Sequence, residues 1–176
     1  DVPLSTGRNI RGQHFNLDTI GHPQSYPGAK NLGLSSFVNY IQSNPDRGEP
    51  SFATEARNYM LGRLRLGAAL NPCNDNFGTV RGISCTAIPE SLWNFWYHGD
   101  PVTNVGWIYT SPGDVRQMQN TGPFKLNAGE PVDIVAAYIV GRGSDAKNSV
   151  AAAKQISDFA QFVYDRNFDT PPPPPP

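Results

Sequence analysis

The chain has 176 residues, of which 14 are basic and 15 acidic, for a net charge of -1, and 38% are hydrophobic. That length suits one domain with a sizeable core, and the near-neutral balance gives no electrostatic reason to expect nucleic acid or an anionic membrane as partner. The 17 glycines and 17 prolines, beside enough apolar residues to fold, point to a loop-rich globule, and no apolar run approaches the ~20 residues that span a bilayer.

Residues 1–50 are punctuated by Gly21, Pro23, Pro27, Gly28 and Gly33, and read as short strands and loops. In "EPSFATEARNYMLGRLRLG" the pattern changes. Phe52, Ala56, Tyr59, Met60 and Leu64 recur at helical spacing, Ser51 is placed to cap, and Gly67 is placed to end the turn, which predicts a helix over 52–64. Cys73 and Cys85 follow, the only two cysteines. An even pair closing a short loop reads as a disulfide in an oxidising compartment, with two unpaired buried thiols as the alternative; two cysteines are too few for a zinc site and lack Cys-x-x-Cys spacing.

Residues 90–109, "ESLWNFWYHGDPVTNVGWIY", hold all three tryptophans and read as two strands around a turn at Gly99, Asp100 and Pro101. As a strand, "LWNFWY" places Leu92, Asn94 and Trp96 on one face and Trp93, Phe95 and Tyr97 on the other. One set belongs to the core. The other is either covered as well or forms, with Trp107, a platform for sugar rings or a partner's prolines. The unalternated apolar run 132–140, "VDIVAAYIV", predicts a strand covered on both faces. A helix follows from about Asp145 to Arg166, capped by Ser144 or Asp145, with Val150, Ala153, Ile156, Phe159, Ala160 and Val163 as a stripe that covers that strand. The fold class is thus mainly β with helices (α+β): an antiparallel β-sandwich or β-rich sheet with two packed helices, over one domain at 1–168, followed by a polyproline tail at 169–176.

Four stretches resemble a segment that recurs in large secreted proteins of the Bacteroidetes and Ignavibacteria kind, which carry a type IX secretion sorting domain. They are "GDPVTNVGW" at Gly99–Trp107, "GPFKLNAG" at Gly122–Gly129, the apolar run into "GRGSD" at Val132–Asp145, and "FAQFVYDRNF" at Phe159–Phe168; Ala56–Gly67 is similar to the helix that precedes them in that family. The resemblance implies an extracellular or cell-surface module followed by a proline-rich linker, and agrees with a disulfide. The chain begins at Asp1 with no charged-then-apolar leader, so an export signal is expected outside it. "DTI", with Thr19 at its centre, resembles the short acceptor at which Bacteroidetes attach O-linked glycans; an ordinary loop threonine is the alternative.

No G-x-S-x-G, H-E-x-x-H, P-loop or EF-hand spacing occurs, and His14, His22 and His98 are far apart in sequence and take no assigned role. Asp100, Asp114 and Asp145 follow small residues in turns, where such residues close Asx-turns or cap helices more often than they bind calcium. The expected function is therefore non-catalytic, with no cofactor and no metal: an extracellular structural module assembling with copies of itself or with other surface proteins. The alternative is a carbohydrate-binding module with polysaccharide as partner, with a hydrolase third. The tail Pro171, Pro172, Pro173, Pro174, Pro175 and Pro176 is a polyproline II rod of roughly 20 Å at ~3.1 Å per residue. It is either a stiff spacer or a connector that docks on an adjacent subunit near Trp93, Trp96 or Trp107 and builds a filament head to tail.

Overall fold

The structure, a computed structural model, describes residues 13–14, 24–25, 33–42, 44–125, 128 and 135–165. Its elements run β1 (Gln13–His14), β2 (Gln24–Ser25), β3 (Leu34–Ile41), α1 (Ala53–Met60), β4 (Gly78–Arg81), β5 (Gly106–Tyr109), β6 (Val115–Thr121) and α2 (Ala146–Asp165), with short 3-10 turns at Pro72–Asn74, Cys85–Ala87 and Glu90–Leu92. The strands pair antiparallel as β1–β2, β3–β6 and β4–β5. This is a small α+β fold. Where the sequence reads as one domain, the chain gathers into two units. One has its described residues in 33–123; the other holds β1, β2 and α2.

In the first unit the core forms on β3. Ser36, Val38 and Tyr40 alternate toward α1: Ser36 Oγ donates to the Met60 carbonyl at 2.8 Å, and the Tyr40 ring stacks on Tyr59 with centroids 5.3 Å apart. Val38, Tyr59, Leu70, Ile88, Trp96 and Trp107 are the buried centre. The far edge of β3 is closed by an isolated parallel bridge, in which Phe37 N–H donates to Asn94 and Trp96 N–H donates to Phe37.

Helix α1 is shorter than the 52–64 expected. Phe52, extended at φ -130, is the N-cap, and Ser51 does not cap; its own N–H donates to the Glu55 carboxylate at 2.7 Å. The helix stops at Gly62, not Gly67. Arg63 N–H reaches back to Asn58 and Gly62 N–H to Tyr59, a Schellman closure that places Gly62 at φ +74. A side chain there would also meet the Asn94 backbone and Cβ, the latter at 2.4 Å, so the first of the two glycines is the one that ends the helix.

Two further expectations give way. Residues 90–97 are no strand: Leu92, Trp93 and Phe95 each donate to the carbonyl three residues back, and Tyr97 takes φ +56. A chain coiled in successive turns has no alternating faces, so one side of the segment is free to sink Trp96 while Trp93 stays half-buried. In the second unit, residues 135–140 join no ladder, and Val135, Tyr138 and Val140 are exposed; positions 132–134 lie outside the described residues. α2 does form as expected, capped by Asp145, whose carboxylate accepts the Asn148 N–H at 2.9 Å. Yet Val150, Ile156 and Phe159 are exposed, so the stripe does not cover a strand at 135–140. A two-sided buried strand needs a neighbour along each edge, and among the described residues none pairs with this segment.

Cys73 and Cys85 are bonded to each other, with Cα atoms 5.2 Å apart, and they join two 3-10 turns that the backbone alone holds by few hydrogen bonds. Closing so short a loop stabilises by about 3 kcal/mol through the unfolded chain. The Cys73→Ser/Cys85→Ser double variant is expected to be less stable than the parent by about that energy, with its unfolding midpoint at lower denaturant; chemical denaturation followed by tryptophan fluorescence checks it.

Candidate functional site

Two loops carry an Asn-Pro dipeptide, "NPDRG" at Asn44–Gly48 and "NPCNDNFG" at Asn71–Gly78, and each folds on its asparagine. Asn44 Oδ1 accepts the N–H groups of Asp46 and Arg47 at 3.0 and 2.9 Å, and Asn71 Oδ1 accepts that of Cys73 at 2.8 Å. These are Asx-turns, the usual use of Asn before a turn. They bring Arg47 from the first loop to Asp75 in the second.

Arg47 and Asp75 form a buried ion pair, their side chains 6% and 0% exposed. Arg47 donates through Nη2 to Asp75 and through Nη1 to the Tyr97 hydroxyl, and its guanidinium lies 4.5 Å from the centroid of the Phe77 ring and 5.6 Å from that of Trp96. Asp75 is equally committed: Oδ1 accepts the Phe77 N–H at 3.0 Å and Oδ2 the Trp107 indole N–H at 2.9 Å. Buried charges are tolerated only when paired and hydrogen-bonded in this way. Tyr97 is held in the left-handed region by its packing, its ring 4.9 Å from both Trp107 and Tyr109, and Gly78 makes room for it, since a Cβ there would stand 2.5 Å from the ring.

Burial pushes the Tyr97 hydroxyl well above the usual tyrosine range, opposed by Arg47. Burial also pushes Tyr59, which donates to the Gly48 carbonyl at 2.6 Å, up to about 12. A second ion pair, Arg65 to Glu55 at 3.1 Å, lies beside α1, and the Ser51 N–H together with Arg65 holds the Glu55 carboxyl below its ordinary value.

Beside this pair the two loops border a cleft of about 330 Å3 whose walls include Asn44, Asp46, Asn71, Asn74, Asn76 and Phe77. Among the described residues, Asn74 and Asn76 make no side-chain hydrogen bond and Asp46 no ion pair. No protein-family model, curated protein or solved structure matches the chain.

Of the residues singled out in the sequence, Trp96 and Trp107 are 1% and 0% exposed. They are core, and no platform: Trp96 spends its indole N–H on Gly62 and Trp107 its own on Asp75. Trp93 is half-buried, donating to Ile88 at 3.2 Å. His98 Nδ1 donates to the Phe95 carbonyl at 2.9 Å and packs edge-on to Trp107. Asp100 closes an Asx-turn onto Val102, and Asp114 lies 3.7 Å from Arg116. Thr19, His22 and Pro171–Pro176 lie outside the described residues. Arg47, Asp75 and the amide-lined cleft were missed; the two Asn-Pro dipeptides were the available signal, since they mark the turns that build the cleft.

Removing one partner of the pair leaves a buried charge, so Arg47→Met or Asp75→Leu is expected to cost about 3 to 5 kcal/mol, and Arg47→Met/Asp75→Leu less than the sum of the single changes. Equilibrium unfolding of the three variants measures this. The tyrosines add a second expectation. Their folded pKa values lie above the unfolded 10.0, so they contribute stability that is present below pH 10 and lost as pH rises toward 12, where Tyr59 titrates in the folded state. Thermal melts across alkaline pH, with tyrosinate absorbance as readout, are expected to show unfolding coupled to ionisation, weakened in Tyr59→Phe.

Proposed function

We propose that this chain is a non-catalytic structural module of an exported protein, working outside the cell or at its surface and assembling with copies of itself or with other surface proteins. The observation that carries this reading is the closed buried network. Arg47, Asp75, Tyr97 and Trp107 satisfy one another inside one unit, and the Cys73–Cys85 disulfide ties the loop that carries Asp75 to the turn at Cys85–Ala87. Charges committed to cross-bracing two loops make a preorganised body rather than a reactive centre, and a disulfide suits an oxidising compartment. No helix among the described residues is long and apolar enough to cross a membrane.

The tail Pro171–Pro176 is the proposed connector. With Trp96 and Trp107 closed into the core, its docking site on a neighbour lies elsewhere than those two rings; a polyproline rod needs an accessible aromatic or apolar groove. The full chain is expected to associate in light scattering and to show oligomers or filaments in electron micrographs. Deleting Pro171–Pro176 is expected to leave a monomer with an unchanged melting curve. A full chain that stays monomeric at high concentration overturns the assembly reading, and undiminished assembly of the truncated chain removes the tail from it.

A further inference from the structure

The cleft between the two Asn-Pro loops has a chemistry that the buried network does not use. Asn44 and Asn71 give their amide oxygens to backbone N–H groups, which fixes the amide orientation: the NH2 of each is the half left over. Asn74 and Asn76, with exposed side chains at the end of the 3-10 turn and just beyond it, add two amides with both donor and acceptor unspent among the described residues. Asp46 contributes an exposed carboxylate, an acceptor. The Phe77 ring, with the Arg47 guanidinium over one face, is the aromatic group in the cleft wall.

Charge narrows the ligand. Arg47 is neutralised by Asp75, so the one charge left among these cleft residues is the negative Asp46, which disfavours phosphate, sulfate and uronate groups. Planar amides that donate and accept, one carboxylate acceptor and the apolar surface of Phe77, Leu64 and Ala69 are the groups that pair with vicinal hydroxyls and with the C–H face of a pyranose. A cleft of about 330 Å3 is at the small end of ligand sites, the size of one or two sugar rings. From this geometry we infer that the cleft formed by Asn44, Asp46, Asn71, Asn74, Asn76 and Phe77 is a binding subsite for a neutral saccharide. The site lies wholly within one unit and holds whether or not the chain assembles.

Native gel electrophoresis in soluble glucomannan, xylan, laminarin and dextran, with polygalacturonate as the acidic counterpart, tests the inference on the full chain. Retardation is expected in at least one neutral polysaccharide and not in polygalacturonate alone. Asn74→Ala/Asn76→Ala is expected to weaken that binding about tenfold or more, as the loss of two hydrogen-bonding amides implies, and Asp46→Ala to weaken it as well. Both amides are exposed and outside the core, so the double variant is expected to keep the parent's melting curve. If it does not, titration of the retarding saccharide into the labelled parent replaces it, with the side-chain amide resonances of Asn44, Asn71, Asn74 and Asn76 expected to shift. No retardation in any neutral polysaccharide, retardation by polygalacturonate alone, undiminished binding by a folded double variant, or amide resonances that do not move would each overturn the proposal.

Discussion

The buried contact between Arg47 and Asp75 organises the first unit. A guanidinium and a carboxylate removed from water lose several kcal/mol of hydration each, and recover it only in good geometry with their remaining groups satisfied. Here that requirement recruits the surroundings. Tyr97 accepts from Arg47, Trp107 donates to Asp75, and Phe77 and Trp96 cover the guanidinium. Together these residues come from four pieces of chain, so the pair ties the Asn44–Gly48 loop, the Asn71–Gly78 loop, the turn at Trp96 and Tyr97 and strand β5 into one body.

The strained backbone of Tyr97 follows from the same constraint. A tyrosine in the left-handed region is disfavoured by sterics, and it persists because its ring is wedged between Trp107 and Tyr109 while its hydroxyl meets Arg47. The price of that strain is returned by a fully paired network, and Gly78 contributes by having no side chain to collide with the ring. The surface cleft is a by-product of this arrangement. The Asx-turns that aim Arg47 at Asp75 consume the oxygens of Asn44 and Asn71, and both residues line the cleft with Asn74 and Asn76.

Local rules carried the sequence reading a good way. Helix α2 began at Asp145 because Asp is a good N-cap and the apolar residues behind it recur at helical spacing. The β5 strand and the Cys73–Cys85 bond likewise followed from residue type and spacing. The tryptophans did not. "LWNFWY" satisfies a strand template by composition, but Pro89 introduces turns each closed over three residues, and whether an aromatic cluster is core or platform depends on what covers it. The apolar run at 132–140 failed at 135–140 for a related reason: burial on both faces requires pairing strands, and periodicity within a segment does not say whether they are at hand.

Sequence alone therefore determined the α+β class, the second helix with its cap and the disulfide, because each depends on interactions between residues near one another in the chain. Tertiary structure alone decided that Arg47 meets Asp75, 28 residues away, that Trp96 and Trp107 are interior, and that four asparagines share one cleft. Those outcomes rest on desolvation and packing among segments distant in sequence. Their energies are set by which groups end up facing each other once the chain has closed: the Asn-Pro dipeptides mark two turns but not what those turns meet.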